Sequence, residues 1–475
     1  MKRVLFVLMS LILCLPLFSC DSKPSESLSE TAGLTEEREK TPLLAGFAER
    51  DFTPEKMGDY MPGSSFAAQA KRVNMPLLAN AAAFESDGIP LILISLDILR
   101  LDEASCAEMK ERIREKTSVP EGNILIVATH THTGIGLMEK HNQNPGNPEA
   151  FRRMMDLAVE AATEAWESRS RGKIGYGTTE LQGYSFCREA YMKNGDIKTW
   201  PSSSNIDRLI GEPDPSVNVI RVDDLQGQVR FFAVNWANHP DSSSKNGYHP
   251  DYPGVMRQKL KKEYGENVVI LYLNGAEGDV NYIDYLNGAK SAGNNGTIGT
   301  ALADAVIELN RSLEVREEYP VIGAVSRRFA AAQRVPSEAD MQWARKTMEK
   351  ISKGESVDNL SRKYAMEYTT IDYSALGPTH EIEVQAVVLG EFAMAALPCE
   401  PYSELGWKIR ESSPYENTFV VGLANGSHGY IGPDFIYGTS AYPARYSFYT
   451  SRFGIGTADL LIQGSVGLLK EIQEG

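Results

Sequence analysis

Short apolar runs, each broken off before it is long enough to form a helix, constrain this fold more than any other feature. Residues 90–96 (PLILISL), 123–128 (NILIVA), 229–236 (VRFFAVNW) and 268–273 (VVILYL) have the length of strands and read as mostly buried ones. Helical periodicity lies between them. Residues 102–116, 148–168 and 294–313 read as helices, and 337–353 and 357–364 as a helical pair, with Ser337 as the cap ahead of Glu338 and Asp340. Residues 381–389 and 392–397 flank Gly390-Glu391 and read as a hairpin. Strands and helices interleaved in this way give an α/β class, mixed β-sheets covered by helices in several layers, with α+β as the near alternative.

The amino terminus has a different character. Lys2 and Arg3 precede an almost wholly apolar stretch, residues 4–18, which ends in Leu17-Phe18-Ser19-Cys20. That length suits a secretory signal core better than a mature membrane span. The small residue before Cys20 matches a bacterial lipoprotein signal, with 1–19 removed and Cys20 acylated. Residues 20–41 are rich in Ser, Glu, Thr and Lys and read as a flexible tether. The folded part is then 42–475, exported and held to the cell envelope by its lipid alone.

Composition narrows the partners. The net charge of −15 argues against nucleic acid. Once Cys14 and Cys20 are set aside, Cys106, Cys187 and Cys399 remain. Three thiols without a CxxC spacing indicate neither a disulfide framework nor a cysteine zinc site.

The chemistry gathers in histidines. There are seven, and two stand in Thr129-His130-Thr131-His132-Thr133-Gly134, directly after the strand at 123–128. In extended chain, positions i and i+2 point to one side, so His130 and His132 are expected to face one pocket at the strand's carboxyl end. His239 also follows an expected strand, in Asn238-His239-Pro240. Neutral imidazole is the commonest metal ligand, and a catalytic zinc site needs about three protein ligands and one open position. His141, His249, His380 and His428 stand in polar or turn-like surroundings and are weaker candidates.

The chain resembles the neutral, non-lysosomal ceramidases from about Ala45 to about Arg452. Gly46, the segment Asp51-Phe52-Thr53-Pro54, Met57-Gly58 and Asp97 are similar to that family's opening. Residues 128–136 (ATHTHTGIG) resemble its THTHSGPG motif, and 186–195, with Arg188, its FNRR and mkdG segment. Asp214-Pro215, His239-Pro240, 249–254 (HPDYPG) and Gly278-Asp279-Val280-Asn281 follow in the family's order. Leu397-Pro398-Cys399-Glu400-Pro401 resembles its Pro-x-Glu segment, and 422–431 its GLxN…Y segment. The resemblance implies a fold like the family's N-terminal domain. It also implies one zinc ion per chain held by His130, His239, Glu400 and Tyr430. His132 would lie beside the metal and meet the substrate, with the ligand of the pair open between His130 and His132. The chemistry such a site needs assigns His132 as the proton-transferring group, Tyr430 as an oxyanion stabiliser where its metal bond is loose, and Arg188 as the holder of a polar or anionic substrate group. The implied reaction is metal-dependent hydrolysis of the amide bond in a small-molecule or lipid-like N-acyl substrate.

Departures from the family bear on the substrate. The family's catalytic Ser corresponds to Gly275 here, the Pro of GDVSPN is missing, and HPTS becomes His239-Pro240-Asp241-Ser242. The family's C-terminal immunoglobulin-like domain is expected to be absent. These differences weaken ceramide as the substrate and leave room for a smaller or more polar amide, or an ester. They also open an alternative, a non-catalytic metal- or ligand-binding lipoprotein on the same fold. A glycosidase using paired carboxylates from Asp241, Asp251 and Asp279 is a third reading.

Overall fold

The computed structural model describes residues 41–63, 68–136 and 146–475. Eight strands form one sheet: β1 (Leu44–Asp51), β2 (Leu78–Ser86), β3 (Ile89–Leu96), β4 (Ile124–Ala128), β5 (Ser170–Glu180), β6 (Ser216–Asp224), β7 (Val229–Trp236) and β8 (Val269–Asn274), in the order β8-β7-β6-β5-β1-β2-β3-β4. Strands β9 (Ile322–Ala332), β10 (Thr379–Leu389), β11 (Phe392–Ala396) and β12 (Asn417–Val421) form a second sheet in sequence order. The large sheet folds over on itself. Ser95 of β3 donates through Oγ to the Tyr272 carbonyl of β8, 2.7 Å away, although five strands separate the two in sheet order.

The fold places three sheet walls around one apolar core that includes Phe84, Leu93, Phe231, Leu271, Met394 and Phe419. Each wall has helices on its outer face. Helices α1 (Glu103–Thr117) and α2 (Pro148–Glu167) cover β1–β4 through Met109, Ile113, Met154 and Ala158. Helices α3 (Asp251–Tyr264) and α4 (Asn295–Asn310) cover β6–β8 through Met256, Leu260, Leu302 and Val306. A helical pair, α5 (Glu338–Ser352) and α6 (Asn359–Thr370), buries its own cluster of Ala344, Tyr364, Ala365 and Tyr368. Helices α7 (Ser403–Ser412) and α8 (Thr457–Glu474) cover the second sheet. No helix among the described residues is long and apolar enough to cross a membrane.

The α/β class and the expected elements are present, with instructive differences. Ser337 caps α5 in a full capping box with Asp340. The second helix of that pair begins two residues later and runs six residues further than expected. Helix α3 was not expected at all. Pro250, Pro253 and Gly254 read as punctuation, yet Pro253 lies in the first turn, where its missing N–H would have no partner anyway. A Cβ at Gly254 would meet Pro250 and the Met75 sulfur at 2.1 and 2.7 Å, so this corner closes only around glycine. Strand β2 (LANAAAFES) is rich in alanine, which carries little strand signal; burial between two neighbours makes it a strand.

Three parallel strand pairs position the site. They are β3/β4, β7/β8 and β11/β12, bridged by α1, α3 and α7 respectively, as parallel pairing requires a crossover. Their last paired residues are Leu96 with Ala128, Trp236 with Asn274, and Ala396 with Val421. Backbone bonds tie the three ends together. Gly422 N donates to Asn274 O at 3.0 Å, Ala128 N to Leu423 O at 3.2 Å, and Asn425 N to Ile126 O at 2.7 Å. Loops leaving these ends therefore converge.

Candidate metal centre

Strand β4 stops at Ala128, and the next two amides still donate backward, Thr129 N to Leu96 O at 2.8 Å and His130 N to Ile98 O at 3.0 Å. His130 then takes a left-handed conformation, φ 70°. Such a φ at a non-glycine residue is uncommon and costs about 1–2 kcal/mol. This corrects the sequence argument. His130 and His132 do meet, but by a turn and not by the alternation of an extended strand; their rings lie 4.9 Å apart at 89°.

His239 completes a set of three. His130 Nε2 is 3.1 Å from His239 Nε2 and 3.4 Å from His132 Nε2. The other nitrogen of each ring faces a backbone carbonyl: His130 Nδ1 the Leu99 oxygen at 2.8 Å, His132 Nδ1 the Gly63 oxygen at 2.7 Å, and His239 Nδ1 the Glu277 oxygen at 3.2 Å. A carbonyl only accepts, so each Nδ1 carries the proton and each neutral Nε2 presents a lone pair. Three lone pairs directed at one another repel unless a cation lies between them. Burial also disfavours the imidazolium forms: it pushes His132 and His239 well below the usual histidine range, helped by Lys245 at His132 and by Arg188 at His239.

Glu400 supplies the negative charge. It leaves the second sheet in a two-residue strand, Glu400–Pro401, paired in parallel with Tyr430–Ile431. Its Oε2 lies 3.3 Å from His130 Nε2 and 3.8 Å from His239 Nε2, enclosed and without a hydrogen-bond partner. Burial works to raise its pKa, and the Tyr430 hydroxyl works against burial in favour of the carboxylate. Burial and Glu400 push the Tyr430 phenol well above its usual range, so without a cation it keeps its proton. Arg188 is buried beside Tyr430, 5.3 Å from the ring centroid, and Nη2 donates to the Gly278 carbonyl at 2.8 Å. Burial opposes its charge, but Tyr430 and Glu400 more than offset that and raise its pKa.

The donor set fits a zinc-type cation: neutral imidazole nitrogens, one carboxylate oxygen and an adjacent phenol, with carbonyls fixing every tautomer. Glu400 contacts His130 and His239, while His132 is partly exposed, its Nε2 3.4 Å from that of His130. All the expected site residues except Cys20 therefore come together; Cys20 and His141 lie outside the described residues. His249 props the motif from behind, its carbonyl accepting from Thr131 Oγ1 at 2.6 Å and Thr133 Oγ1 at 2.7 Å. Asp279 accepts from Ser403 N and Oγ at 2.7 and 2.8 Å, and Asp251 is closed off by Ser242, Ser243 and Tyr252, so neither is a free carboxylate. Gly275 has a steric reason: a Cβ there would come within 2.8 Å of the Ala237 Cβ. Sequence reasoning missed the carbonyls of Gly63, Leu99 and Glu277, which no side-chain pattern signals.

Fold and side-chain placement together give an α/β protein with a candidate metal site, His130, His132 and His239, at the carboxyl ends of three parallel strand pairs. The chain is neutral ceramidase-like. Over 228 residues it is 25% identical to the neutral ceramidase of Pseudomonas aeruginosa, a match that covers 45% of this chain and 32% of that protein. The crystal structure of that ceramidase superposes with a TM-score of 0.69 at 16% identity, covering 91% of this chain and 75% of the other. A ceramidase complexed with C2 gives the same values. At that identity the structural likeness is one of fold. No protein-family model matches the chain.

Proposed function

We propose that this protein is a zinc-dependent hydrolase that cleaves the amide bond of N-acyl compounds. The observation that carries the reading is the close approach of the His130 and His239 Nε2 atoms to each other and to the Glu400 oxygen, which has no hydrogen-bond partner, with His132 Nε2 beside His130. His130, His239 and Glu400 would hold the ion, with Tyr430 as the fourth ligand. Zinc bound there would supply Lewis acidity, polarising the amide carbonyl and lowering the pKa of water toward neutrality.

The protein's own residues supply the remainder. His132 is partly exposed and its Nδ1 proton is held by the Gly63 carbonyl, so its Nε2 lone pair is the one available to accept a proton from water. Returning that proton to the departing nitrogen completes the addition of water across the C–N bond. Where its metal bond is loose, the Tyr430 phenol, beside Arg188, would donate toward a developing oxyanion. We further infer export and lipid anchoring through Cys20.

A second reading, capture of a ligand without turnover, draws on Gly275, where the packing of Ala237 leaves no room for a hydroxyl-bearing side chain. The test is chelator-controlled turnover of N-acylated substrates by wild type and His132→Ala. Hydrolysis that stops on chelation, returns with zinc and falls at least about a hundredfold in the variant supports the hydrolase. Tight zinc with no turnover of any amide or ester supports capture.

A further inference from the structure

One large ring stands open beside the centre, and no step of the proposed chemistry uses it. Trp200 directly follows the short strand Ile197–Thr199 and is 51% exposed. Its backbone takes the left-handed conformation, φ 53°. That region is a genuine outlier for a bulky side chain. Pro201 follows, and a residue before proline favours extended backbone instead. Trp200 N nevertheless donates to the Arg188 carbonyl at 2.8 Å, which fixes the indole next to a residue of the centre. A single exposed indole is ordinary on a protein surface. One held out by an unfavourable backbone conformation beside a candidate reaction centre is not, because such outliers gather at active sites and ligand clamps.

Ring contacts join Trp200 to the centre. Its centroid lies 5.4 Å from that of Tyr442, with the planes tilted by 44°. Tyr442 in turn lies edge-on to Tyr430, 5.8 Å away at 81°. The backbone secures this order, because Tyr442 N donates to Thr199 Oγ1 at 2.8 Å. Exposure increases along the row, from buried Tyr430 through half-buried Tyr442 to open Trp200. The Arg188 guanidinium lies 5.3 Å from the Tyr430 ring and 5.8 Å from the Trp200 ring. An aromatic wall therefore leads from the candidate metal ligands to solvent, with a cation along it. A further ring meets such a wall offset-stacked or edge-to-face, at centroid distances of about 4.5–7 Å. A cationic occupant is disfavoured by the guanidinium. A saturated chain would gain burial there but not the attraction between rings.

We propose that Trp200, with Tyr442, is the subsite for an aromatic ring of the substrate, so that the N-acyl compound this protein takes carries such a ring within reach of the scissile amide. This rests on the amide-hydrolase reading above and names the substrate class within it. The ring belongs either to the acyl half, as in an arylacetyl amide, or to the amine half, as in an N-acyl aromatic amino acid.

The experiment uses two matched pairs on the protein as purified, by turnover and by calorimetric binding. N-phenylacetylglycine is set against N-cyclohexylacetylglycine, and N-acetylphenylalanine against N-acetylcyclohexylalanine. All four carry one carboxylate, and the saturated ring is similar in size and at least as apolar, so a difference reads ring character. Wild type should prefer the aromatic member of one pair by about three- to tenfold in kcat/KM or Kd. Which pair shows the preference assigns the half. Trp200→Gly suits the left-handed backbone, so it removes the ring without adding strain and should abolish the preference. Trp200→Phe should keep part of it. Hydrolysis of both members alike, or a turnover preference that survives Trp200→Gly, would overturn the subsite and keep the hydrolase. Ring-selective binding that depends on Trp200, without turnover, would keep the subsite and overturn the hydrolase. Absence of both preference and turnover would overturn both.

Discussion

Among the described residues, two histidine–carboxylate clusters have similar composition, His130/His132/His239 with Glu400, and His380/His428 with Glu103. They differ in which atoms face which. In the first, carbonyls occupy every Nδ1 and the close contacts run from Nε2 to Nε2, an arrangement without protons to share. In the second, Arg452 Nη2 donates to His380 Nδ1 at 3.2 Å, so the proton is on Nε2 and is donated to Glu103 at 3.1 Å. His428 Nε2 lies 3.4 Å from the other Glu103 oxygen. The carboxylate stands between two imidazoles. Burial alone would raise Glu103, but the two histidines hold it well below the usual carboxylate range. Proximity of histidines therefore does not define a metal site; the direction of the lone pairs does. The second cluster links the start of α1 to the loop that carries Tyr430; His380 is hydrogen-bonded on both ring nitrogens, while His428 Nε2 and the nearer Glu103 oxygen face each other without a hydrogen bond.

The sharpest way to break this contrast is to remove the carboxylate from each cluster. Glu400→Ala should lose its metal and more than about a hundredfold in turnover, whereas Glu103→Ala should keep its metal. Elemental analysis of both variants reads this directly, and metal lost equally from both would make the clusters equivalent. Glu103→Ala should instead destabilise the fold by about 1–3 kcal/mol in denaturant unfolding, less than a fully buried pair because the cluster is partly exposed. Glu103 has a depressed pKa, so its contribution is present above the ordinary carboxylate range and is lost as the pH falls below it. The stability gap between wild type and Glu103→Gln should accordingly close in acid.

Gly275→Ser asks whether the metal-side loops can accept the side chain that the ceramidase resemblance places there. Crowding against Ala237, 2.8 Å from the new Cβ, should cost about 1–3 kcal/mol and bring no gain in turnover. A stable, faster variant would contradict the steric account.

An effect of similar size, confined to one pH range, concerns Glu189, which adjoins Arg188. Burial pushes its carboxyl up to about 7, against hydrogen bonds from Tyr402 at 2.7 Å and Thr199 at 2.8 Å. Because the folded pKa is raised, the native state binds the extra proton, and stability falls as the pH rises from about 4.5 to about 7. Glu189→Gln should therefore be more stable than wild type at pH 8, by roughly 2 kcal/mol, with the advantage gone at pH 4. Thermal unfolding at the two pH values tests the sign.

The sequence by itself determined the α/β class, most of the core strands and the capping box at Ser337, because these depend on local periodicity and on contacts within a few residues. It also marked His130, His132 and His239, whose spacing stands out in a chain with seven histidines. Glu400, Tyr430 and Arg188 were legible only through family resemblance, since one carboxylate after a strand and one tyrosine near glycine are ordinary in isolation. Only the tertiary structure decided the rest. The left-handed turn at His130, the carbonyls that fix each tautomer, the crowding at Gly275 and the Glu400 oxygen without a hydrogen-bond partner arise where three parallel strand pairs, distant in sequence, end at one place. The physical reason is that a lone pair's direction and a charge's lack of a partner are properties of the space between segments, and no single segment encodes them.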